Sequence, residues 1–177
     1  MPPIFTIGHS NHSIETFVDL LREQRIERVI DVRKIPMSRA NPQFNADTLP
    51  GSLAASEIGY EHVAALGGLR AKAKDLPRDI NGFWTHESFH NYADYALSAP
   101  FHAGLEHLLE QGHQRRCVVM CSEALWWRCH RRIVADYLLA NDETVFNIMG
   151  RGQVEPARLS SGAVVRPDGV IVYPGVH

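Results

Sequence analysis

The sequence predicts an α/β fold: a single three-layer domain in which helices flank a mainly parallel sheet, with a small C-terminal β-hairpin. Short runs rich in valine and isoleucine recur along the chain, and such runs are typical of strands buried in parallel sheets. Segments with helical spacing of apolar residues separate them, which indicates strand–helix–strand units. At 177 residues the chain is long enough to bury a core. We therefore assign residues 1–177 to one domain, with residues 150–177 as its hairpin extension.

The first predicted unit is a strand followed by a helix and a second strand. The apolar run at residues 4–7 ends at Gly8, and Ser13 is placed to cap the helix that follows. Residues 27–32 predict the second strand, and a helical connection favours a right-handed parallel crossover. Residues 34–45 contain two prolines and predict a loop whose length is typical of functional segments.

The chain on both sides of a central strand predicts further helices, two more strands and the hairpin. Gly59 is expected to end the next helix, and an aperiodic segment further on is expected to be an exposed loop or a lid. The predicted elements are a helix over residues 47–58, a strand over 60–63, an aperiodic segment over 64–83, helices over 86–98 and 100–111, the central strand over 117–121, a strand over 144–149, and a hairpin that turns at 167–169.

The central, valine-rich strand begins the most informative part of the chain. The residues after it, up to Leu139, have helical spacing, so this part predicts a strand, a tight turn and a helix. The turn would place Cys121, Ser122 and Glu123 beside the first backbone N–H groups of the helix, which have no partner within the helix. Such a position suits anion binding or a lowered thiol pKa.

The composition limits the possible classes of function. The net charge is -2, so the sequence predicts no broadly basic surface for nucleic acid, and any phosphate binding must come from a local cluster. A Walker loop and a Gly-x-Gly-x-x-Gly motif are both absent. No apolar run approaches the roughly 18 residues of a membrane-spanning helix, so we expect no membrane partner. The three cysteines are an odd number with no secretion signal before them, which favours reduced thiols in a cytoplasmic protein.

Three loops that are distant in sequence are expected to meet at one edge of the sheet. Ligands of open parallel sheets bind beyond the carboxyl ends of the strands. This rule brings together residues 8–11 after the first strand, residues 31–33 at the end of the second, and residues 121–123 after the central strand. The loops combine a thiol, an imidazole and guanidinium groups, which predicts an anion-binding pocket with a potential nucleophile.

The central loop has both a functional and a structural interpretation. Cys121 is either a nucleophile or a packed core thiol, and the charge of Glu123 opposes formation of its thiolate. Arg128 either binds an anion or lies with Arg131 and Arg132 on a solvated helix face. The Cys-x6-Arg spacing is near that of the oxyanion-binding loops of cysteine phosphatases and rhodanese-type sulfurtransferases, but it does not match the phosphatase spacing.

His9, His130 and Asp31 also have both a functional and a structural interpretation. His9 follows a glycine at a strand end, a position typical of functional loops. His130 is either a catalytic base or a hydrogen-bonded core histidine, and Asp31 either takes part in catalysis or orients Arg33. We predict no metal site, because the chain has no Cys-x2-Cys pair and the adjacent Cys129 and His130 would point in different directions from a helix.

A set of mostly polar motifs runs through nearly the whole chain. The motifs are TIGHSN at residues 6–11, DVR at 31–33, PMSRANPQFN at 36–45, LGG at 66–68, YADY at 92–95, MCSEA at 120–124 and RCHR at 128–131. As a set, they closely resemble the domain-of-unknown-function 488 family. The resemblance implies a site of polar and reactive side chains in strand-end loops, and it implies no substrate. One departure is Ala157, where members of the family often carry histidine.

Two functional hypotheses follow. The first is a cytoplasmic enzyme that binds an anionic, phosphorylated or nucleotide-like substrate in a Cys/His/Arg pocket at the carboxyl ends of the strands. The predicted catalytic residues are Cys121, His9 and Glu123, and the predicted substrate-binding residues are Ser10, Asn11, Arg33, Arg39, Asn45, Ser122, Arg128 and His130. The alternative is a non-catalytic nucleic-acid or nucleotide binding module that uses the same basic cleft, with Phe44, Trp84 or Tyr92 for stacking. The sequence predicts neither a cofactor nor an oligomeric state.

Overall fold

The apolar runs predicted as strands form the centre of a six-stranded sheet in a computed structural model, which describes residues 1–175. The strands are β1 (Ile4–Gly8), β2 (Arg28–Asp31), β3 (Gly59–His62), β4 (Cys117–Cys121), β5 (Val145–Gly150) and β6 (Gln153–Pro156). Their order is β3-β2-β4-β1-β5-β6, in which all neighbours are parallel except β5 and β6. Every residue of β1 and β4 is buried, as expected for central strands of a parallel sheet.

Helices cover both faces of this sheet and form a hydrophobic core on each side. They are α1 (Ile14–Glu23), α2 (Leu49–Ala54), α3 (Glu87–Tyr95), α4 (Ala99–Gln114) and α5 (Arg131–Ala140). On one face α1 and α2 bury Phe17 and Leu49, and on the other α4 and α5 bury Phe101 and Ile133. The predicted cap of α1 is confirmed, since the Ser13 side chain accepts a hydrogen bond from the Thr16 backbone N–H. The layers confirm the predicted α/β fold.

A small hairpin near the C-terminus is also confirmed. Its strands are β7 (Val164–Val165) and β8 (Ile171–Val172), which pair antiparallel. Gly169 has a φ of +85° in the turn, a conformation that glycine adopts without steric cost. The hairpin leads to Tyr173, whose buried hydroxyl donates to Asp136 of α5 at 2.7 Å. The C-terminal segment is therefore attached to the helix that begins beside the cleft described below.

The connection between β4 and α5 differs from the prediction. α5 begins at Arg131, with His130 as its N-terminal cap residue, and a 3-10 turn at Trp126–Arg128 precedes it. The predicted helix start beside Cys121 and Ser122 is therefore wrong. These two residues therefore do not supply the first backbone N–H groups of a helix, and any anion binding by them depends on their side chains and on isolated backbone groups.

Hydrogen bonds to the loop after β1 hold this connection extended. The backbone N–H groups of His9 and Ser10 donate to the carbonyl oxygens of Cys121 and Ser122 at 2.8 and 2.9 Å. Gly8 permits the close approach, because a Cβ atom there would lie 1.8 Å from a carbonyl oxygen of the connection. Backbone hydrogen bonding between the two chain segments thus continues past the ends of β1 and β4. It occupies the carbonyl groups of Cys121 and Ser122, which would accept hydrogen bonds within a helix that started there.

Two further elements differ from the prediction. β6 was not predicted, because its side chains are mostly exposed and no apolar run marks it. The helix predicted over residues 47–58 is shorter, since α2 ends at Ala54 and Glu57 has a left-handed φ of 59°. No helix among residues 1–175 is long and apolar enough to cross a membrane.

Candidate active site

A cleft of about 760 Å³ opens where the carboxyl ends of β1, β2 and β4 meet. The parallel register aligns these ends, with Gly8 opposite Cys121 and Asp31 opposite Met120. The predicted site residues that line the cleft are His9, Ser10, Asn11, Arg33, Cys121, Ser122, Glu123, Arg128 and His130. The three loops that were expected to converge therefore do lie together.

Two predicted binding residues do not line the cleft. Arg39 is exposed on the long loop after β2. Asn45 accepts a hydrogen bond at 2.6 Å from the backbone N–H of Ser38, which does line the cleft. Asn45 thus shapes the loop instead of facing the cavity.

Arg33 is held by Asp31 at the end of β2. Its Nε and Nη2 atoms donate to the two carboxylate oxygens of Asp31 at 2.9 and 2.7 Å, and Nη2 also donates to the carbonyl oxygen of Phe44. Tyr60 donates its hydroxyl to the same carboxylate at 2.5 Å. Asp31 is fully buried and Arg33 is 7% exposed, so the carboxylate balances the guanidinium charge within the protein. Asp31 therefore orients Arg33, as one of its two interpretations predicts.

His9 is a neutral imidazole under Arg33. Its Nδ1 lies 2.8 Å from the carbonyl oxygen of Ser10, which places the ring proton on Nδ1, and its Nε2 lies 3.3 Å from Arg33 Nη1, which donates. Burial is the main cause that lowers the pKa of His9 to about 4, and the charge of Arg33 adds to it. The ring also stacks on Phe44 at 4.3 Å between centroids. His9 is thus arranged to position Arg33.

Two cysteines form the floor of the cleft. Cys121 ends β4 and Cys129 follows the 3-10 turn, yet their Sγ atoms lie 2.7 Å apart. They are 2% and 6% exposed, and both line the cavity. His130 donates from Nε2 to the carbonyl oxygen of Val32 at 2.8 Å, which turns its Nδ1 toward Cys129 Sγ at 3.6 Å. His130 is therefore hydrogen-bonded to the core, and it is also the base closest to this thiol pair.

Arg131 lies behind the cysteines and is 1% exposed. Its Nη1 contacts Cys121 Sγ at 2.6 Å, and its backbone N–H points to Cys129 Sγ at 3.4 Å. Its other partners are neutral oxygens: the carbonyl groups of Glu123 and Ala124 and the hydroxyl of Thr6. Within residues 1–175 no carboxylate forms an ion pair with it. The prediction that Arg131 lies on a solvated helix face is wrong.

The thiol pair is the acidic group in direct contact with this buried charge. Burial alone would raise the pKa of Cys129, but the hydrogen bond from Cys121 and the charge of Arg131 outweigh it and lower that pKa to about 7. Burial and the neighbouring Cys129 raise the pKa of Cys121. Two sulfurs in contact do not both ionise, so near neutral pH the pair carries at most one negative charge.

Exposed charges around the cavity are mainly positive. Lys34 and Arg128 are both exposed on its lining, and Glu123 is the acidic side chain there. Glu123 accepts a hydrogen bond from the backbone N–H of Leu125 at 3.1 Å, which stabilises its own turn. Because Asp31 already balances Arg33, the cleft retains one excess positive charge before Arg131 is counted. The excess positive charge on the cleft lining therefore favours binding of an anionic group.

The predicted catalytic and binding residues do not include Cys129 or Arg131. The family resemblance marks both through the motif at residues 128–131, but the residues by themselves predict a helix position for Cys129 and a solvated face for Arg131. The signal that could have found them is the Arg-Cys-His-Arg motif, in which every residue is polar or reactive. Among residues 1–175 no three His, Cys, Asp or Glu side chains are arranged to hold a metal ion.

The aromatic residues expected to stack on bases do not line the cleft. Phe44, Trp84 and Tyr92 are 0%, 7% and 1% exposed and belong to the hydrophobic cores. They are therefore unavailable as stacking surfaces.

Comparison with known proteins identifies the family. The family model described as Domain of unknown function DUF488 matches residues 13–138, which is more than half of the chain. The matched range includes Arg33, Cys121, Cys129 and Arg131. Searches of curated proteins and of solved structures found no match. The chain belongs to the DUF488 family.

Proposed function

We propose that the protein is an enzyme that binds an anionic, phosphorylated or nucleotide-like substrate in the cleft and attacks it with the thiolate of Cys129. The observation that carries the proposal is the burial of Arg131 against two thiols, with no carboxylate partner in the described part of the chain. Isolating a guanidinium from water costs several kcal/mol unless an anion faces it. If Arg131 served only for packing, an apolar side chain of similar size would fill the same space without this desolvation cost.

The thiolate supplies the nucleophile. A thiol whose pKa is about 7 is substantially ionised at neutral pH, and the thiolate is the reactive form of cysteine. Cys121, the nucleophile predicted from the sequence, takes a different part here: it donates its S–H to the Cys129 thiolate. His130 lies where it can accept the proton of Cys129 when the thiol is neutral.

The rim supplies the binding groups. Lys34 and Arg128 attract an anion to the edge of the cavity, and the exposed Ser122 hydroxyl adds a hydrogen-bond donor. Ile35 and Leu69 are 65% and 75% exposed beside these charges. A substrate with an apolar or planar part next to its anionic group fits this combination better than a simple inorganic anion. Three free cysteines are in keeping with a cytoplasmic enzyme.

The proposal is tested with a panel of phosphate-bearing metabolites, including nucleotides and sugar phosphates. Binding is measured by calorimetry and turnover by mass spectrometry of the mixtures. We expect Arg128→Ala to weaken binding about tenfold, as loss of one charge-assisted contact does. We expect Cys129→Ser to abolish turnover and to retain binding.

Arg151→Ala is the matched control, because Arg151 is exposed and lies outside the cleft lining. It should change neither quantity. Turnover that survives in Cys129→Ser would refute the assignment of the nucleophile. If no phosphate-bearing compound bound, or if Arg128→Ala bound as well as the parent protein, the anionic substrate would be refuted.

A further inference from the structure

The contact between Cys121 and Cys129 has a consequence that does not depend on any substrate. Their sulfurs are 2.7 Å apart, whereas the bond length of a disulfide is about 2.05 Å. The two side chains already point at each other. The difference between these two distances shows that the sulfur atoms need to approach by roughly less than 1 Å to form the bond. Only seven residues, 122–128, separate the two cysteines, and they form an extended connection with a single 3-10 turn.

The surroundings favour attack by one sulfur and resolution by the other. Arg131 and its backbone N–H stabilise negative charge on the pair, and both cysteines are among the residues that line a cavity open to solvent. Cys121 lies deeper, at the end of β4, and it is in contact with the sulfur that would be oxidised first. A small oxidant can therefore reach Cys129 without any opening of the fold.

We propose that Cys121 and Cys129 form a reversible dithiol–disulfide site that reacts with small hydroperoxides, with Cys129 as the attacking thiol and Cys121 as the resolving thiol. The thiolate of Cys129 attacks one oxygen of the hydroperoxide, the O–O bond breaks, and the other oxygen leaves as water or an alcohol after taking up a proton. Cys129 becomes a sulfenic acid. The thiol of Cys121 then attacks that sulfur and displaces a second water molecule.

The overall reaction balances. Two thiols and one hydroperoxide give one disulfide, one water molecule and one water or alcohol molecule, with two electrons passing from sulfur to oxygen. A dithiol reductant returns the pair to the thiol form by exchange. The disulfide would hold residues 122–128 as a closed loop, which carries Glu123 and Arg128 of the cleft lining.

Cys117 is an internal control on the same strand. It is fully buried, and burial raises its pKa to about 11. Within the described part of the chain its sulfur has no hydrogen-bond partner. The pKa of Cys129 is lowered whereas that of Cys117 is raised, and Cys129 also lies on the cavity lining, so Cys129 has the larger thiolate fraction at neutral pH. We therefore expect Cys129 to react at least about tenfold faster than Cys117.

The experiment uses the reduced full-length protein with one equivalent of hydrogen peroxide. Remaining thiols are alkylated in denaturant, and the protein is digested with trypsin. Cleavage after Arg116, Arg128 and Arg131 separates residues 117–128 from residues 129–131. We expect these two peptides to be joined by a disulfide, with Cys117 alkylated. Dithiothreitol should restore all three thiols.

Variants distinguish the two thiols. Cys121→Ala should accumulate a sulfenic acid at Cys129, which a dimedone probe traps, because no resolving thiol remains. Cys129→Ala should consume peroxide at least about tenfold more slowly, because burial, which this change leaves in place, raises the pKa of both remaining thiols. Cys117→Ala should form the disulfide as the parent protein does.

Three outcomes would overturn the proposal: alkylation of all three cysteines to the same extent after peroxide, a disulfide that includes Cys117, or unchanged peroxide consumption by Cys129→Ala. The peptide map of the parent protein decides the question even if a variant fails to fold. Because this test needs no substrate, its result is separate from that of the anion-binding test. A protein that forms the disulfide but binds no phosphate compound would retain this site and lose the proposed function.

Discussion

Arg33 and Arg131 are both buried beside the same cleft, and they differ in what balances their charge. Asp31 accepts two hydrogen bonds from separate nitrogens of Arg33, so a carboxylate faces this guanidinium. Among residues 1–175, the partners of Arg131 are a thiol pair and neutral oxygens. The negative charge beside Arg131 therefore depends on pH and on the oxidation state of sulfur. The first arginine is part of a permanent ion pair, whereas the second lowers the pKa of a neighbouring thiol.

The largest effect is expected from removal of the permanent counter-ion. Asp31→Asn leaves the Arg33 guanidinium buried without an anion, and breaking a buried pair in this way costs about 3–5 kcal/mol. The free energy of unfolding from urea denaturation measures the loss. Asp19→Asn is the control, since Asp19 pairs with Arg151 at the surface, where both side chains are more than half exposed. Its change should be under about 1 kcal/mol. Similar losses in both variants would contradict the role of Asp31 as the counter-ion of Arg33.

The second effect concerns pH and His9. The unfolded chain binds a proton at His9 below about pH 6.5, whereas the folded protein binds it only near pH 4. The unfolded state thus holds more protons in this window, and the free energy of unfolding must rise with pH across it, by about 3 kcal/mol in total. Burial also lowers the pKa of His130, which acts in the same direction.

His9→Asn is expected to reduce this slope, while His12→Asn, which changes a histidine outside the cleft lining, should retain it. Denaturation curves at several pH values between 4 and 7 give the comparison. An unchanged slope in His9→Asn would show that folding does not lower the pKa of His9, against its buried position beside Arg33.

A smaller loss of stability is expected when Asp31 keeps its charge but no longer accepts the hydrogen bond of Tyr60. Tyr60→Phe removes the hydroxyl that donates to the carboxylate at 2.5 Å, and hydrogen bonds to charged groups contribute about 1.5–3 kcal/mol. Tyr95→Phe removes a bond to a neutral carbonyl group, that of Ala65, and should cost about 1 kcal/mol. Thermal denaturation of both variants tests the order. A larger loss of stability in Tyr95→Phe than in Tyr60→Phe would contradict the prediction that the hydrogen bond to the charged partner contributes more.

The smallest change in stability is expected at the other arginine. Arg131→Met fills similar volume without a charge, and such replacements of buried ions are often close to neutral, so we expect a loss of about 1 kcal/mol from the unpaired carbonyl groups. The acidity of the Cys129 thiol should change more than the stability of the fold. The groups facing Cys129 are Cys121, His130 and Arg131, and without the last of these the pKa of Cys129 should rise by more than about one unit.

The rate of alkylation by iodoacetamide, followed for Cys129 as a function of pH, gives that pKa. Arg132→Met is the matched control, because the Arg132 guanidinium faces Trp84 and the hydroxyl of Ser160 instead of the thiols. A midpoint that stays near pH 7 in Arg131→Met would mean that Cys121 alone lowers the pKa of Cys129.

The sheet and the position of the cleft could be predicted because strong local signals mark them. The largely apolar runs of β1 and β4 favour buried strands, and the carboxyl-end rule then places His9, Arg33 and Cys121 together. The thiol pair could not be predicted in this way. Its formation depends on the extended path of residues 122–130, which the backbone groups of the loop after β1 impose. Arg131 likewise follows an arginine-rich pattern that usually marks a surface, and only the start of α5 decides that it points inward.

The strand order also governs when the cleft can form during synthesis. β1 is made first, yet it lies between β4 and β5, so its two neighbours arise only with residues 117–121 and 145–150. At about 5–20 residues per second, the ribosome needs on the order of ten seconds to reach them after β1 has emerged. During that time the apolar strand has no partner, and Gly8 and His9 have no loop to bind. A nascent chain of this protein therefore exposes its own first strand to chaperones before Cys121 and Cys129 have been synthesised.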